Sequence, residues 1–541
     1  MRGLASIACG LLVGCVYDNG RFGGQASASA TTSGDASSAT TSGDSTSPTT
    51  AGDPSTSDTG GSTGAPSTTS DATHNTDTDT DTDATDTDTD TGVTPCWIEG
   101  ACEPSAEWVL DYPAPKYGSP VTLARFSDGS IAAAGNYDEP ILLGDAALPL
   151  AATEGVYLAR ISGSGDVLWV RSFPGPSETR NFAVAVDEEA RVSITGHYFD
   201  QIDFGGGPRP GGNYSEFYLA SFTGDGAWFH DRSVQATGLQ FGLTVAADMS
   251  GGVVVGGYYN GLFDPGGGPL TELPFEQPYP YNHFVARYDD QRDLQWALDG
   301  GTETVNARIS GVDVDGAGNV IAVGRFFGPL AFGPLVAKNE GKQSYAFAVK
   351  ISPTGAPLWL QSYGDTAATG DQGLTQVKAD VDDTFVVAGL CDGMVEPFGL
   401  PTLLCGSSPI VARVGADGEG IWARTLATTG VASVGALART EGGRVVVAGS
   451  FTGALELLET TPASGFNDVF LGEFGADGAL LWARTYGADN PLGAAEFPHS
   501  LVALGPGDVV LGAQLYDGVT FGGATASFPS EVHAVIARLR Y

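Results

Sequence analysis

The sequence predicts an all-β fold, a β-propeller of seven four-stranded antiparallel blades, because three markers each recur seven times in the second part of the 541-residue chain. The first marker is a tryptophan, the second is a glycine that ends an apolar run, and the third closes a short apolar stretch. Repetition at a fixed period is typical of propellers and solenoids. The tryptophans are Trp108, Trp169, Trp228, Trp296, Trp359, Trp422 and Trp482; the glycines are Gly135, Gly196, Gly256, Gly324, Gly389, Gly449 and Gly512; the third-marker residues are Arg160, Ser221, Arg287, Lys350, Arg413, Glu473 and Arg538.

One unit shows the predicted strands of a blade. Turn residues follow the first strand, and Phe332-Gly333 marks a loop between the second and third strands. Four antiparallel strands in each unit make a propeller blade. The strands are predicted at 309–314, 320–324, 346–351 and 358–362. We interpret the tryptophans as structural side chains that pack between blades, because they recur at one place in each unit.

The seventh unit has two of these strands, at 509–512 and 535–539, but its tryptophan strand does not follow. The segment from Glu107 to Tyr112 resembles the segment from Leu481 to Tyr486. We therefore expect the N-terminal strand to complete the last blade and close the ring, which also pairs the exposed strand edges of an open array. The propeller is predicted over residues 106–541, after a short cysteine-containing lead-in at 95–105.

The N-terminus predicts export and lipid attachment. Arg2 precedes an apolar run of about ten residues, which suits a signal peptide and is too short to span a bilayer. The run ends in Leu12-Val13-Gly14-Cys15, which resembles a bacterial lipobox. We expect a signal peptide at 1–14 and a lipoprotein with acyl chains such as palmitate on Cys15; an ordinary signal peptide that contains a cysteine is the alternative. Because Val16 follows, we expect a membrane anchor in the cell outer membrane.

Residues 15–94 are predicted to form a lipidated N-terminus and a disordered linker. From residue 26 onward this segment is almost entirely Ser, Thr, Asp, Gly and Ala, with no Lys, Arg or aromatic residue, so it cannot bury a core. A spacer is the favoured interpretation, and a weak calcium-binding or glycan-bearing tract is the alternative. Gly60-Gly61-Ser62-Thr63-Gly64 matches a hydrolase motif by chance, because no strand-to-helix turn surrounds it.

The remaining cysteines fall into two local pairs, Cys96 with Cys102 and Cys391 with Cys405. An even, paired set is expected in an oxidising compartment, so two disulfides are predicted, with four buried thiols as the alternative. The cysteine spacing and the six histidines match no zinc motif. We expect neither a metal nor another cofactor. The segment from Asp313 to Asn319 looks faintly like a calcium loop, but we interpret it as a hairpin turn.

The units resemble the bacterial seven-bladed β-propeller repeats (SBBP) of secreted and surface proteins. The shared pattern runs from turn-Gly-Asn-Val through Phe-Gly and Ala-x-Val-Lys-Ile-x-Pro-x-Gly to Trp, and it is clearest from Gly318 to Trp359. It departs from the pattern where Gly266 to Asn282 is inserted in blade three and where blade five carries the loop from Cys391 to Cys405. The resemblance implies the fold and an extracytoplasmic setting, and it implies no catalytic residues.

The formal charge of −39 argues against nucleic acid and against anionic lipid head groups as partners. We expect a monomeric, non-catalytic binding module for a protein or polysaccharide. A propeller glycan hydrolase or lyase, with carboxylates converging from several blades, is the alternative. The candidate ligand-binding residues lie in the blade-three insertion: Phe275, Tyr279, Tyr281 and His283. The competing interpretation is that the two tyrosines fold back and cover the edge of that blade.

Overall fold

The computed structural model describes residues 105–114, 120–148, 154–234, 237–273, 280–301, 305–380, 382–457, 460–463, 467–487, 496–516, 519–521, 524–526 and 532–541. Several predictions fall outside these residues: the signal peptide, the lipidated Cys15, the linker, the Cys96–Cys102 disulfide, and two candidate ligand-binding residues, Phe275 and Tyr279. Within the described part of the chain, no helix is long and apolar enough to cross a membrane.

The described residues form short β-strands, with single 3-10 turns at Pro397–Gly399 and Glu441–Gly443. In chain order the strands are β1 (Ser105–Pro113), β2 (Thr122–Arg125), β3 (Ile131–Tyr137), β4 (Ile141–Leu143), β5 (Ala146–Leu148), β6 (Gly155–Ile161), β7 (Val167–Phe173), β8 (Thr179–Val186), β9 (Val192–Tyr198), β10 (Gln201–Ile202), β11 (Arg209–Pro210), β12 (Glu216–Phe222), β13 (Trp228–Ser233), β14 (Gln240–Ala247), β15 (Val253–Tyr259), β16 (Asn282–Tyr288), β17 (Leu294–Asp299), β18 (Val305–Val314), β19 (Val320–Phe327), β20 (Pro329–Phe332), β21 (Leu335–Lys338), β22 (Tyr345–Ile351), β23 (Pro357–Tyr363), β24 (Gly373–Ala379), β25 (Phe385–Val395), β26 (Leu403–Val414), β27 (Gly420–Thr425), β28 (Ala432–Arg439), β29 (Val445–Phe451), β30 (Ala454–Glu456), β31 (Thr460–Pro462), β32 (Asp468–Phe474), β33 (Leu480–Tyr486), β34 (Phe497–Gly505), β35 (Asp508–Tyr516), β36 (Val519–Phe521), β37 (Ala524–Ala526) and β38 (Val532–Arg540).

Among the described residues these strands form seven four-stranded antiparallel sheets in a ring, which confirms the predicted β-propeller. From the inner to the outer strand, blades one to seven are β2-β3-β6-β7, β8-β9-β12-β13, β14-β15-β16-β17, β18-β19-β22-β23, β24-β25-β26-β27, β28-β29-β32-β33 and β34-β35-β38-β1. Each inner strand contacts the inner strand of the next blade, and β34 contacts β2, so the ring is closed.

The N-terminal strand completes blade seven, as predicted. β1 pairs with β38 in antiparallel register, with Trp108 opposite Arg538 and Tyr112 opposite Ala534. The hydroxyl groups of Tyr112 and Tyr157 lie 2.6 Å apart, which joins the closed blade to blade one.

Small hairpins separate the second and third strands in several blades. In blade four, the Phe332-Gly333 pair predicted as a loop lies in such a hairpin, because Phe332 ends β20 and pairs with Leu335. In blade five, β25 and β26 themselves extend outward and replace the hairpin.

The second-strand glycine is required by a bulge in the inner strand. In blades two to six the inner strand shifts register beside this glycine. A carbonyl oxygen of the inner strand then lies where a Cβ atom on the glycine would be. In blade three the glycine in that position is Gly257, which faces the carbonyl of Phe241. In blade seven the register places Ala513 there. The sequence markers Gly256 and Gly512 were therefore wrong by one residue.

Six of the seven tryptophans pack between blades, as predicted, whereas Trp228 contacts residues of its own blade. In five blades the indole N–H donates to a carbonyl in the turn between the third and fourth strands of the next blade, and the ring covers a positive-φ glycine of that turn. The pairs are Trp108 with Gly163, Trp169 with Gly224, Trp296 with Pro353, Trp359 with Ala416 and Trp422 with Ala476, at 2.8–3.0 Å. In blade six, Trp482 instead lies 4.1 Å from the ring of Tyr541.

Blade two departs from the repeat. In the other blades a tryptophan lies opposite the third marker, but in blade two this residue is His230. Trp228 therefore lies two residues before the expected position, and it is 41% exposed. The third marker itself is Ser221, where five of the other six blades have a cation. The cation comes from blade three: the fully buried Arg292 donates to Asp187 at 3.1 Å and to Ser221 at 2.9 Å. Arg292 occupies a positive-φ turn position that is glycine in several other blades.

The third marker ties the third strand to the first turn of its own blade. The cations pair with turn aspartates: Arg160 with Asp128, Arg287 with Asp248, Lys350 with Asp315, Arg413 with Asp380 and Arg538 with Asp508. The loop that resembles a calcium site is one of these turns, because Lys350 and Asn319 bind the Asp315 carboxylate. Among the described residues, no cluster of His, Cys, Asp or Glu could hold a metal ion.

Candidate ligand-binding site

The antiparallel blades give the ring two different faces. Tight turns between strands one and two and between strands three and four lie on one side, which we name the turn face. The hairpins between strands two and three and the connections between blades lie on the other side, which we name the loop face. Loops on a rigid scaffold are where recognition usually occurs.

Near the loop face, the residue before the inner-strand bulge pairs with the residue after the second-strand glycine. The pairs are Arg180 with His197 in blade two, Phe241 with Tyr258 in blade three, Arg308 with Arg325 in blade four, Gly373 with Leu390 in blade five and Ser433 with Ser450 in blade six. Blade five has Gly373 opposite Leu390 and blade six has two serines, so the fold is satisfied without an aromatic or charged side chain at these positions. The aromatic and cationic side chains of blades two to four are therefore not needed to form a blade.

Five side chains form an aromatic row across blades two and three: Phe199, His197, Phe241, Tyr258 and Tyr281. Successive ring centroids lie 5.6, 4.7, 4.8 and 5.2 Å apart along the row. His197 is buried, whereas the other four are partly exposed. The row presents apolar ring surface to solvent on the loop face.

A charged cluster lies at the blade-two end of the row. The Arg180 Nε lies 3.1 Å from Glu154 and 3.0 Å from Glu178, and Glu178 lies 3.5 Å from His197 Nε2. Burial alone would raise the pKa of Glu178, but the hydrogen bond from His197 and the charge of Arg180 outweigh it and lower the pKa below its ordinary value. Burial lowers the pKa of His197, and the hydrogen bond and negative charge of Glu178 only partly offset this lowering. Glu178 is thus held ionised and His197 is held neutral near pH 7.

A second charged group lies beyond the row, in blade four. Arg308 and Arg325 are directly opposite each other in the sheet, an arrangement that costs stability unless anions balance it. Asp371 supplies one carboxylate, 3.3 Å from Arg325. Ionic groups therefore lie in blade two, at one end of the row, and in blade four, which follows the other end.

Of the four candidate ligand-binding residues, Tyr281 and His283 lie within the described structure. Tyr281 belongs to the aromatic row, and its carbonyl accepts a hydrogen bond from the Asn306 N–H at 2.7 Å. His283 is fully buried 4.3 Å from the ring of Phe332, so the structure does not bring it to the surface with Tyr281. Burial lowers the pKa of His283 to about 3.

The Cys391–Cys405 disulfide is present, with Cα atoms 5.6 Å apart. It joins the two strands of the extended blade-five hairpin, whose Met394 and Leu404 pair directly and are 63% and 80% exposed. The predicted loop is thus an ordered, crosslinked hairpin.

Most of the row could not be recognised from the sequence. Phe241 and Tyr258 are 17 residues apart in different strands, and Phe199 comes from another blade. The usable signal was a difference at equivalent repeat positions, where blades two to four have aromatic or charged pairs and blades five and six have neither. That signal depends on correct alignment of the blades, and in blade three the marker glycine Gly256 is one residue away from the equivalent position, which is Gly257.

An exposed aromatic row with ionic groups at both ends can stack on flat apolar surfaces and can donate and accept hydrogen bonds. The fold and this site define a seven-bladed β-propeller with a partly exposed aromatic row on its loop face. No protein-family model matches the sequence, and no curated protein matches it significantly.

Solved structures similar to the chain include three of low identity. A protein of unknown function from Bacteroides caccae is 10% identical, with 61% of this chain and 89% of that chain covered and a TM-score of 0.31. Sqt1 from Chaetomium thermophilum is 11% identical over 80% and 90% of the two chains, with a TM-score of 0.38. YCF48 bound to D1 peptide is 9% identical over 81% and 98%, with a TM-score of 0.35. The fold assignment rests on the chain's own strand pairing.

Proposed function

We propose that this chain is a non-catalytic polysaccharide-binding module of the cell envelope and that the ligand lies along the aromatic row. The observation that carries the proposal is the set of partly exposed rings Phe199, Phe241, Tyr258 and Tyr281, of which Phe241 and Tyr258 lie at positions where blades five and six have no aromatic residue. Rigid aromatic side chains supply contact area with little loss of conformational entropy.

The chemistry of the row favours a sugar polymer. The C–H faces of sugar rings stack on aromatic rings, while their hydroxyl groups pair with carboxylates and guanidinium groups such as Glu178 and Arg180. The salt bridges of Arg180 hold these groups in place before binding, which reduces the entropy lost on association. With a net charge of −39, the protein repels acidic polymers, so we propose a neutral polysaccharide.

We further propose that lipid on Cys15 anchors the protein in the outer membrane and that the 15–94 linker separates the propeller from the bilayer. The lipobox and the SBBP-type repeat pattern support this placement. The Cys391–Cys405 disulfide also supports it, because disulfides persist in oxidising compartments outside the cytoplasm.

The glycan hydrolase alternative requires a carboxyl group with a raised pKa that can act as a general acid. At the aromatic row the pKa of Glu178 is lowered, which is opposite to that requirement. This observation favours binding without hydrolysis at the site.

A glycan array with the purified protein tests the proposal. We expect wild type to bind neutral polysaccharides, Tyr258→Ala to lose the signal, and Ser450→Ala, the matched variant in blade six, to keep it. Released reducing ends would favour hydrolysis. Capture of a protein, unaccompanied by glycan binding and lost in Tyr258→Ala, would replace the polysaccharide with a protein ligand.

A further inference from the structure

A cavity of about 530 Å³ opens on the turn face, where blades five, six, seven and one meet. A cavity of this volume is large enough for a small-molecule ligand. Its lining includes three arginines, Arg125, Arg413 and Arg439, and the backbone of Gly442 and Gly443. It lies at the opposite end of the blades from the aromatic row.

Two of these arginines depart from the repeat. Arg125 and Arg439 end the inner strands of blades one and six and pair with the first residue of the second strand. The residues that pair in the same way in the other five blades are Val186, Ala247, Val314, Ala379 and Ala503. A small apolar residue therefore satisfies the blade at this position, and the fold does not require a cation.

Both arginines flank blade seven and are held by bonds within the cavity. Arg125 donates from Nη1 to the Ala503 carbonyl at 3.1 Å. Arg439 donates to Asp380 at 2.8 Å, and Arg413 donates to the other oxygen of that carboxylate at 3.2 Å. Each bond uses one N–H of a guanidinium group that has five, so Arg125 and Arg439 retain donors for a ligand.

The hydrogen-bond donors of the cavity favour an anion. Arg413 and Arg439 share the buried carboxylate of Asp380, whereas Arg125 bonds a backbone carbonyl. The other two acidic residues of the lining, Asp382 and Glu441, are exposed at the rim, where solvent screens their charges. We propose that the cavity binds an oxyanion, the carboxylate or phosphate group of a small molecule, between Arg125 and Arg439. Guanidinium groups pair with both kinds of oxyanion through two parallel hydrogen bonds.

Calorimetric titration of the purified protein with inorganic phosphate and with glucuronate, at constant ionic strength, tests this site. We expect saturable binding of one or both probes, weakened at least tenfold by Arg125→Val and by Arg439→Val. These changes restore the residue type of other blades, so the melting temperature should stay near that of wild type. Arg439→Lys keeps the charge without the planar fork and should give an intermediate affinity.

Arg171→Gln, which changes an exposed arginine outside the cavity, is the matched control and should bind like wild type. Binding of phosphate alone or of glucuronate alone identifies which oxyanion the site accepts. The proposal is overturned if wild type binds neither probe, if the valine variants bind as tightly as wild type, or if Arg171→Gln weakens binding equally. The valine variants should leave polysaccharide binding at the aromatic row unchanged, so the two proposals fail separately.

Discussion

Replacing Arg292 with glycine tests how blade two compensates for its missing cation. The guanidinium group of Arg292 is fully buried and bonds Asp187, Ser221 and the Gly251 carbonyl. Arg191 also bonds both Asp187, at 2.8 Å, and Gly251, at 3.0 Å, so these acceptors keep a donor after the substitution. Loss of one partner from a buried ion pair costs about 3–5 kcal/mol, and the retained Arg191 bonds place the loss near 3 kcal/mol.

Glycine recovers part of that loss. Arg292 has a φ of +69°, a region that costs a side-chain-bearing residue about 1 kcal/mol or more. The net destabilisation of Arg292→Gly is then about 2 kcal/mol, which lowers the melting temperature of a domain of about 430 residues by about 2 °C. Differential scanning calorimetry at a fixed scan rate measures the shift, and urea titration measures the free energy of unfolding.

The decisive variant is the double change Ser221→Arg with Arg292→Gly, which restores the arrangement of the five blades that have a cation at the third marker. Ser221→Arg alone adds a third guanidinium group beside Asp187, which Arg191 and Arg292 already contact, and should be destabilising. The double variant should be more stable than the sum of the single effects, with a coupling energy of about 2 kcal/mol. Additive single effects would refute the inference that Arg292 replaces the third-marker cation.

Cys15→Ala should abolish incorporation of labelled fatty acid, and equal labelling of wild type and variant would contradict the lipobox prediction. Deleting Glu107 to Tyr112 should lower the melting temperature and promote aggregation, because it exposes the edge of β38; a wild-type calorimetric transition would exclude closure by β1. Replacing Tyr279 and Tyr281 with alanine should weaken polysaccharide binding at an unchanged melting temperature, whereas loss of stability first would indicate a covering role. Burial lowers the pKa of His283 to about 3, so on acidification this histidine is protonated first in the unfolded state. The free energy of unfolding should therefore fall from about pH 6.5 toward pH 3. His283→Phe should flatten that fall, and a pH profile identical to that of wild type would contradict the assignment to His283.

The fold was predictable because the repeating residues are structural contacts. Trp296, for example, covers Gly355 of the next blade, so sequence spacing reports directly on blade spacing. The predicted repeat markers were misplaced where a blade departs from that arrangement. Blade two places His230 where a tryptophan was expected, and its substitute contact, Arg292, lies 71 residues from Ser221. Two residue changes that compensate each other across so long a stretch of sequence leave no local sequence pattern.

The candidate site was predictable only in part. The proline- and tyrosine-rich insertion drew attention to Tyr281, which does join the aromatic row. In the sequence, Phe241 and Tyr258 cannot be distinguished from ordinary strand residues, because aromatic residues are common in strands. Their convergence depends on the pairing of two strands and on the neighbouring blade, which sequence periodicity does not report. His283 was misplaced for a different reason. Alternation along a strand predicts which face of the blade a side chain lies on, but it does not predict exposure where both faces of the blade are covered.

The affinity of the aromatic row for its polysaccharide tests the central claim most directly. Isothermal titration calorimetry should compare Phe241→Ala and Tyr258→Ala with Ser433→Ala and Ser450→Ala, their counterparts in blade six. Removing a central aromatic contact costs about 2 kcal/mol, so we predict that each aromatic variant binds about 30-fold more weakly while the serine variants bind like wild type. Equal affinity in all four variants would contradict a binding site on the loop face.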